Sequence, residues 1–268
     1  MIRNPAVADR FYPGDAEHLR SAMDIFVPVT TAEEKEQAMV VIMPHAGYVY
    51  SGATAGATIS RVVVPETVLI MGPNHRGQGA ALALGTEDWR MPMGMVPINQ
   101  QLARAILRQS EDIREDSEAH HHEHSLEVQV PFLQQVQPQL QIVPLMVSHV
   151  SYTLCQKVAA DLAAVLQAYR NPVLIVASTD MSHYETRKQA AQKDQLAIER
   201  ILALDPEGLY ATVHRNRISM CGVIPTTIAL LVALQLGAKQ ARMVHYTDSG
   251  EASGDVSQVV GYAGLIVS

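Results

Sequence analysis

Short runs of adjacent apolar residues alternate along the chain with longer stretches of a different period. Runs of Val, Ile and Leu without polar alternation are typical of strands that are covered on both faces. Such strands are predicted at residues 39–43, 67–71, 80–84, 141–147, 172–177, 241–245 and 259–266. The longer stretches space apolar residues at three and four, which predicts helices at residues 16–25, 53–63, 99–108, 126–136, 155–169, 188–204 and 226–236. This alternation predicts an α/β protein with a layered, parallel or mixed sheet flanked by helices.

The composition narrows the class of protein. The 268 residues are 48% hydrophobic and 18% charged and contain no linker-like segment, so we expect a single domain over residues 1–268. A net charge of −7 without a Lys/Arg-rich run argues against a nucleic-acid partner. The two cysteines provide no disulfide framework, and no apolar run approaches the roughly 18 residues of a membrane span. The expected location is the cytoplasm, with no membrane association.

Histidines follow three of the predicted strands. His45 comes shortly after the strand at 39–43, His75 after that at 67–71, and His183 after that at 172–177. One histidine at a strand end is usually a hydrogen-bonded loop residue. In open α/β sheets, however, the loops at the carboxyl ends of the strands line the ligand crevice. Three histidines in equivalent positions therefore favour one shared site, and imidazole suits iron, zinc and copper.

Two further residues have chemistry that fits such a site. Asp180 precedes His183 by three residues and could accept its ring N–H, or it could cap a following helix. Cys221 stands just before an apolar helix, where a thiol can have a lowered pKa and act as a nucleophile or metal ligand. A small buried apolar residue is the alternative for Cys221. Cys155 lies in an amphipathic helix, and we interpret it as structural.

The segment 120–124 reads HHHEH and contains the H-x-x-E-H pattern of one class of zinc peptidase. That chemistry needs both histidines on one face of a helix, whereas an acidic stretch precedes this segment and the apolar period begins only at residue 126. We therefore expect a loop that enters a helix, with His120, His121 and His122 facing solvent and not needed for metal binding. Glu123, His124 and Glu127 are expected at the helix start, where Glu123 and Glu127 could share a face.

A set of short segments, in this order, resembles the Memo family, whose prokaryotic members are also called AmmeMemoRadiSam system protein B. The segments are RFYPG at 10–14, PHAGY at 44–48, GPNH at 72–75, EHSLE at 123–127, STDMSH at 178–183, MCG at 220–222, and SGE at 249–251 with GD at 254–255. Each is weak alone, but together they span nearly the whole chain.

The resemblance implies the fold of class III extradiol dioxygenases, which use non-haem iron. It implies that His45, His75 and Cys221 bind the metal and that His183 acts as acid and base. With Asp180, His124 and Glu123, His183 forms the catalytic set that we expect. Fe(II) is the implied metal, with copper or zinc as alternatives, since a thiolate replaces the carboxylate of the dioxygenases. The family also implies two protein partners, one AMMECR-type and one radical SAM protein, beside a small-molecule or peptide ligand.

Three functions remain open at this point. The first is a metal-dependent oxidoreductase, favoured by Asp180 and His183, since binding alone needs no acid/base pair. The second is a non-enzymatic binding module that uses the same crevice for metal, peptide or a partner protein, favoured by Cys221 in place of a carboxylate. The third is a hydrolase of the zinc or Cys/His type. Tyr48 and Tyr50 follow His45 closely and could face the crevice, while Trp89 either lines a pocket or covers the core.

Overall fold

The computed structural model describes residues 2–268. The strands are β1 (Ile2–Arg3), β2 (Val40–Met43), β3 (Thr67–Pro73), β4 (Leu82–Leu84), β5 (Asp88–Met91), β6 (Gly94–Val96), β7 (Arg114–Glu115), β8 (Gln141–Val147), β9 (Val173–Ser178), β10 (His183–Glu185), β11 (Ala241–Asp248) and β12 (Val259–Val267). The helices are α1 (Ala16–Phe26), α2 (Tyr48–Ile59), α3 (Gln100–Gln109), α4 (Glu118–His121), α5 (Val130–Val136), α6 (Tyr152–Ala168), α7 (Arg187–Leu202), α8 (Pro206–Arg215), α9 (Val223–Gln235) and α10 (Gly250–Ser253). Among these residues, no helix has both the length and the apolar character needed to cross a membrane.

A mixed sheet of nine strands organises the fold. Its centre consists of parallel strands in the order β2-β9-β3-β8. Antiparallel strands border this centre, β4 beside β8 and β12 beside β2. Strand β7 extends the sheet beyond β4, while β10 and β11 pair with β12; β1, β5 and β6 form a separate three-stranded sheet. The predicted α/β class with a layered, mixed sheet is confirmed.

Helices cover the sheet. Helix α9 packs on β2, β3 and β9, and α2 packs on β2, β11 and β12. Behind them, α6 and α8 pack on α9, while α1 and α5 pack on α2. Every residue of β2 and β3 is buried, as expected for apolar strands without polar alternation. Fully burying one large apolar side chain contributes about 1.5–3 kcal/mol, so this core is the main source of stability.

The long apolar segments were predicted correctly, and the short elements were not. Each predicted strand overlaps an observed one, but β1, β5, β6, β7 and β10 were missed because strands this short are defined by their pairing partners. Helix α8 was missed as well, although Asp205 caps it and Pro206 opens it. The helix predicted at 126–136 begins as a 3-10 turn at Glu127–Gln129 and continues as α5.

Three central strands end at the same level of the sheet. Met43 of β2 lies opposite Ser178 of β9, and Met71 of β3 lies opposite Ala177 of β9. The loops that follow β2, β9 and β3 therefore leave the sheet side by side at its carboxyl edge, where ligands bind in open α/β folds.

A buried carboxylate ties the N-terminal segment to the chain beside this edge. Glu127 forms an ion pair of 2.7 Å with Arg3 and accepts backbone N–H bonds from Ala6 at 2.8 Å and Val7 at 3.0 Å. The hydroxyl of Tyr12 donates to the same carboxylate at 2.5 Å. Glu127 thus turns toward the N-terminal segment and does not act together with Glu123, which corrects the expectation of a shared face.

Arg3 extends this attachment to the segment that precedes Glu127. Its guanidinium donates to the carbonyl oxygens of His120 and Glu123, both at 2.8 Å, and lies 4.1 Å from the ring centroid of Trp89. Trp89 is buried and covers the core.

We predict that Glu127→Ala lowers the free energy of unfolding by about 3–5 kcal/mol, because it leaves the buried Arg3 charge without its carboxylate partner. Glu111→Ala, at an exposed position, is the matched control and should stay within about 0.5 kcal/mol of the parent. Urea unfolding measures both. A loss below about 1 kcal/mol for Glu127→Ala would contradict this view of the N-terminal attachment.

Candidate metal centre

The side chains of His45, His75 and Cys221 converge. One ring nitrogen of each histidine and the Sγ of Cys221 all lie within 4.8 Å of one another. His45 lies two residues beyond β2 and His75 two residues beyond β3, while Cys221 stands directly before Gly222, the N-cap of α9. The convergence expected from the sequence is therefore present in the fold.

The hydroxyl of Ser178 determines which ring nitrogen of His45 carries the proton. It donates to the carbonyl oxygen of Ser125 at 2.6 Å and accepts from the side-chain amide of Gln129 at 2.7 Å. Because a hydroxyl has a single proton to donate, its 2.8 Å contact with Nδ1 of His45 must be donated by the histidine. Nε2 of His45 therefore presents its lone pair, and this nitrogen lies 3.4 Å from Sγ of Cys221.

His45 is held in its neutral form. Burial lowers its pKa well below the usual range, and the neighbouring His124 and His75 lower it further, against an opposing effect of Glu123. Its backbone N–H donates to a carboxylate oxygen of Asp180 at 2.8 Å, which fixes the loop. Neutral imidazole with a free nitrogen is the form that binds metals.

Glu123 orients the ring of His75 by accepting from its Nδ1, as Ser178 does for His45. Its two carboxylate oxygens accept from the backbone N–H of His75 at 2.6 Å and contact Nδ1 at 2.9 Å. The carboxylate is buried, and burial alone would raise its pKa. Hydrogen bonds from His124 and His75 outweigh burial and lower the pKa of Glu123, so it is ionised and accepts the Nδ1 proton of His75. Nε2 of His75 is then free, as in the carboxylate–histidine–metal arrangement.

His124 completes a ring of imidazoles. Its ring stacks on that of His75 with centroids 4.7 Å apart, and the rings of His45 and His75 and those of His45 and His124 lie 5.3 and 5.4 Å apart. Its Nδ1 lies 3.0 Å from Glu123, and His75, Glu123 and His124 together form a second group with metal-binding geometry. Glu123 thus stands behind the histidines as a positioning residue.

Cys221 differs from the sequence expectation in its acidity. Its Sγ accepts from the backbone N–H of Asp180 at 3.2 Å. Burial is the largest cause of a raised pKa for this thiol, and the nearby carboxylate of Asp180 raises it further. The expected lowering by the helix N-terminus is wrong for the metal-free chain, because desolvation outweighs it. A bound metal would displace the thiol proton.

The expected pairing of Asp180 with His183 is also wrong. Asp180 is buried against the backbone of His45, and burial raises its pKa. His183 instead donates from Nδ1 to the carbonyl oxygen of Ser219 at 2.9 Å, and its backbone N–H donates to the Ser219 hydroxyl at 2.7 Å. Asp180 caps no helix either, since Thr186 caps α7. Nδ1 of His183 thus donates its proton in a hydrogen bond to the carbonyl oxygen of Ser219 and not to a carboxylate. The free lone pair of the neutral ring is therefore on Nε2.

The histidine-rich segment separates into two environments. His121 and His122 are exposed as expected. His120 is buried, with Nε2 3.0 Å from the carbonyl oxygen of Ala83 and its ring centroid 6.3 Å from Trp89, so its predicted solvent exposure is wrong. Burial is the main cause that lowers the pKa of His120 to about 4. Because α4 ends at His121, the single helix that the peptidase pattern requires is not formed here.

Other residues named from the sequence have structural positions. Cys155 is buried in α6, as expected. Tyr48 is buried, with its hydroxyl donating to the carbonyl oxygen of Val128 at 2.8 Å, whereas Tyr50 is exposed. Both lie along a surface depression with Phe11, whose ring is 4.7 Å from that of His124.

The sequence reasoning missed the residues that support the histidines. Ser178 was quoted only as part of the STDMSH segment, with no role, and Gln129 bears no recognisable signal, since only the folded chain brings the two side chains together beside His45. His149 had a signal, because it follows β8 as His45 follows β2. It lines an open cavity of about 710 Å³ that also borders His75 and Cys221. This cavity gives a ligand access to the centre.

Comparison with known proteins identifies the family of this chain. A family model described as Memo-like protein matches residues 3–266. A MEMO1 family protein of Methanopyrus kandleri is 39% identical over 279 residues, covering 99% of both chains. One of Aquifex aeolicus is 40% identical over 267 residues, covering 99% of this chain and 98% of the relative.

A solved structure supports the fold. The crystal structure of an uncharacterized protein from Escherichia coli K12 aligns with a TM-score of 0.57 at 12% identity, over 86% of this chain and 100% of the other. At that identity the likeness concerns the fold alone. The family model extends over nearly the whole chain, and so do the relatives that are 39% and 40% identical. The protein therefore belongs to the Memo family.

Proposed function

We propose that this protein is a metal-dependent oxidoreductase whose redox-active metal, Fe(II) or copper, is bound by His45, His75 and Cys221. The observation that carries the proposal is the convergence of two oriented imidazole nitrogens and a thiol within 4.8 Å beside an open cavity. Hydrogen bonds from Nδ1 to Ser178 and Glu123 leave Nε2 of both histidines available. Histidines that bind metals typically have their other ring nitrogen held by such a hydrogen bond.

The donor set limits the choice of metal. Two imidazoles and one thiolate suit iron, copper and zinc, and exclude magnesium or calcium, which prefer oxygen ligands. The family's relation to non-haem iron enzymes favours Fe(II). Such a metal, when bound, supplies one-electron and oxygen chemistry.

The remaining residues of the site would position the ligand and move protons. His183 donates from Nδ1 to Ser219, so its Nε2 could accept a proton from a ligand in the crevice. The buried Glu123 and Ser178 hold the protonation states of His75 and His45. Asp180 fixes the His45 loop through the backbone.

A nucleophilic role for Cys221 is not favoured. Its Sγ lies 3.4 Å from Nε2 of His45, a distance that suits a nucleophile and its base. However, burial raises the pKa of Cys221 and lowers that of His45, so the thiolate–imidazolium pair is disfavoured on both sides. The metal-binding role needs neither residue to carry a charge before the metal arrives.

The metal content tests this assignment. We expect about one metal ion per chain in anaerobically purified protein. Single replacements of the three proposed ligands by Ala should reduce the content to a small fraction of that, because each removes a donor atom. The exposed His121→Ala and His122→Ala are the matched controls and should retain the metal, as should His120→Ala despite a lower melting temperature. Elemental analysis measures the content. Full metal content in His45→Ala would overturn the assignment, and loss from the His120–122 variants would favour the peptidase-type site.

Glu123→Gln should weaken metal binding by about 10–100-fold, because the amide no longer fixes the Nδ1 proton of His75. Glu118→Gln, at an exposed position in α4, is the control and should bind like the parent. Competition with a chelating indicator gives the two affinities. An affinity for Glu123→Gln equal to that of the control would show that Glu123 has no part in orienting His75.

His183→Gln should leave the metal content unchanged and slow oxygen uptake by the Fe(II)-loaded protein by about 10²–10⁴-fold, since it removes the proposed acid/base. The control is His18→Gln, an exposed histidine in α1. Loss of metal from His183→Gln would make His183 a ligand instead. Unchanged oxygen uptake would remove its proton-transfer role and favour the binding module over the enzyme.

A further inference from the structure

Asp194 is a buried carboxylate that the proposed mechanism does not use. It lies in the middle of α7, and the residue is fully buried. An ionisable side chain at this depth is costly unless it is hydrogen-bonded, so its partners indicate what it does. Burial is the main cause that raises the pKa of Asp194, and hydrogen bonds from Ser182 and Tyr246 act in the opposite direction.

The carboxylate of Asp194 accepts two hydrogen bonds. Its Oδ1 accepts from the backbone N–H of Ser182 at 2.8 Å, and its Oδ2 accepts from the hydroxyl of Tyr246 in β11 at 2.8 Å. Ser182 directly precedes His183, the proposed acid/base. Because a hydrogen bond to an ionised acceptor is roughly twice as strong as a neutral one, Asp194 holds the backbone from which the side chain of His183 extends.

Strand β12 holds the same segment through Gly261. Its N–H donates to the carbonyl oxygen of Ser182 at 2.9 Å, and its own carbonyl oxygen accepts from the N–H of Met181 at 2.8 Å. A Cβ at position 261 would overlap the carboxylate of Asp194, so only glycine lets β12 and Asp194 reach Ser182 together. Both polar groups of the Ser182 backbone are thus hydrogen-bonded, one to α7 and the other to β12.

The ring of His183 depends on this attachment. Its Nδ1 donates to the carbonyl oxygen of Ser219 at 2.9 Å, in the segment between α8 and α9. The pairing of β10 with β12 is irregular between His183 and Glu185, so the strand ladder alone does not fix the ring. A shift of about 1 Å away from Ser219 would take Nδ1 out of hydrogen-bond range, and the proton would no longer be held on Nδ1.

We propose that Asp194 is a positioning residue for His183: through the N–H of Ser182 it keeps Nδ1 of His183 on Ser219, so that Nε2 keeps its free lone pair. A carboxylate does support His183, but it comes from α7 and acts on the backbone, whereas Asp180 was the expected partner of the imidazole. The inference rests on the proposed function only for the acid/base role of His183. The orientation of the ring is a property of the metal-free protein.

The position of the His183 ring proton in the metal-free protein tests the proposal without any activity. Ring-nitrogen chemical shifts in NMR distinguish Nδ1–H from Nε2–H, and the spectrum of His183→Gln identifies the signals that belong to His183. At about pH 8.5, where an ordinary imidazole is neutral, the wild-type ring should carry its proton on Nδ1. In Asp194→Ala, and in Asp194→Leu, which fills the space of the carboxylate, the proton should be distributed over both nitrogens.

Two further variants separate positioning from stability. Asp194→Asn keeps an oxygen that accepts from the N–H of Ser182, so it should retain the wild-type His183 signals. Tyr246→Phe removes the other hydrogen bond of the same carboxylate and leaves Ser182 in place. It should lower the melting temperature, because a buried acceptor loses its partner, and yet leave the His183 proton on Nδ1.

Oxygen uptake by the Fe(II)-loaded protein gives the consequence for the proposed acid/base. Asp194→Ala and Asp194→Leu should keep the metal and slow oxygen uptake by about 10–10²-fold, since the ring is misplaced in part of the molecules. Asp194→Asn and Tyr246→Phe should stay within about twofold of the parent, because neither removes the acceptor of the Ser182 N–H.

The outcomes are distinct. Unchanged His183 signals in both Asp194→Ala and Asp194→Leu would overturn the proposal, and so would an equal redistribution of the proton in Tyr246→Phe or in Asp194→Asn. Signals that move as expected in a protein that takes up no metal, or whose oxygen uptake does not change, would keep the positioning role of Asp194 and overturn the proposed function alone.

Discussion

The parallel pairing of β9 between β2 and β3 is the constraint on which the site depends. These strands are adjacent but far apart in sequence, and their registers bring Met43, Ser178 and Met71 to nearly one level. A slip of one residue would turn each strand's side chains to the opposite face, where they would no longer fit the close packing of the core, so packing fixes the register. The loops beyond the strands then have little freedom in where they begin, and His45, Asp180 and His75 meet as a consequence.

Two buried hydrogen-bond acceptors orient the histidine side chains that come together at this edge. Ser178 and Glu123 each accept a hydrogen bond from the Nδ1–H of one histidine, so that both Nε2 lone pairs are available to a ligand. Burying an ionised Glu123 is costly, and it is tolerated because two imidazoles and three backbone N–H groups surround it. Burial of Cys221 acts in the opposite sense, since it raises the pKa of the thiol and so keeps it protonated.

The strand-end histidines could be found from the sequence because apolar runs without alternation identify buried strands, and such strands end at a common edge. Cys221 was a candidate because it stands before an apolar helix, and the family resemblance supplied its role as the third ligand. The errors have a common cause. His183 contacts Ser219, Asp180 contacts the backbone of His45, and His120 contacts Ala83. Each contact joins distant segments of the chain, which no local pattern encodes.

The central claim is that His45, His75 and Cys221 bind one metal ion together. X-ray absorption spectroscopy of the anaerobic Fe(II)-loaded protein tests it most directly, because it distinguishes sulfur from nitrogen and oxygen neighbours of the metal. The account predicts one sulfur neighbour and imidazole nitrogens in the wild-type spectrum, and a spectrum without sulfur for Cys221→Ser. A wild-type spectrum that contains only nitrogen and oxygen neighbours would contradict it.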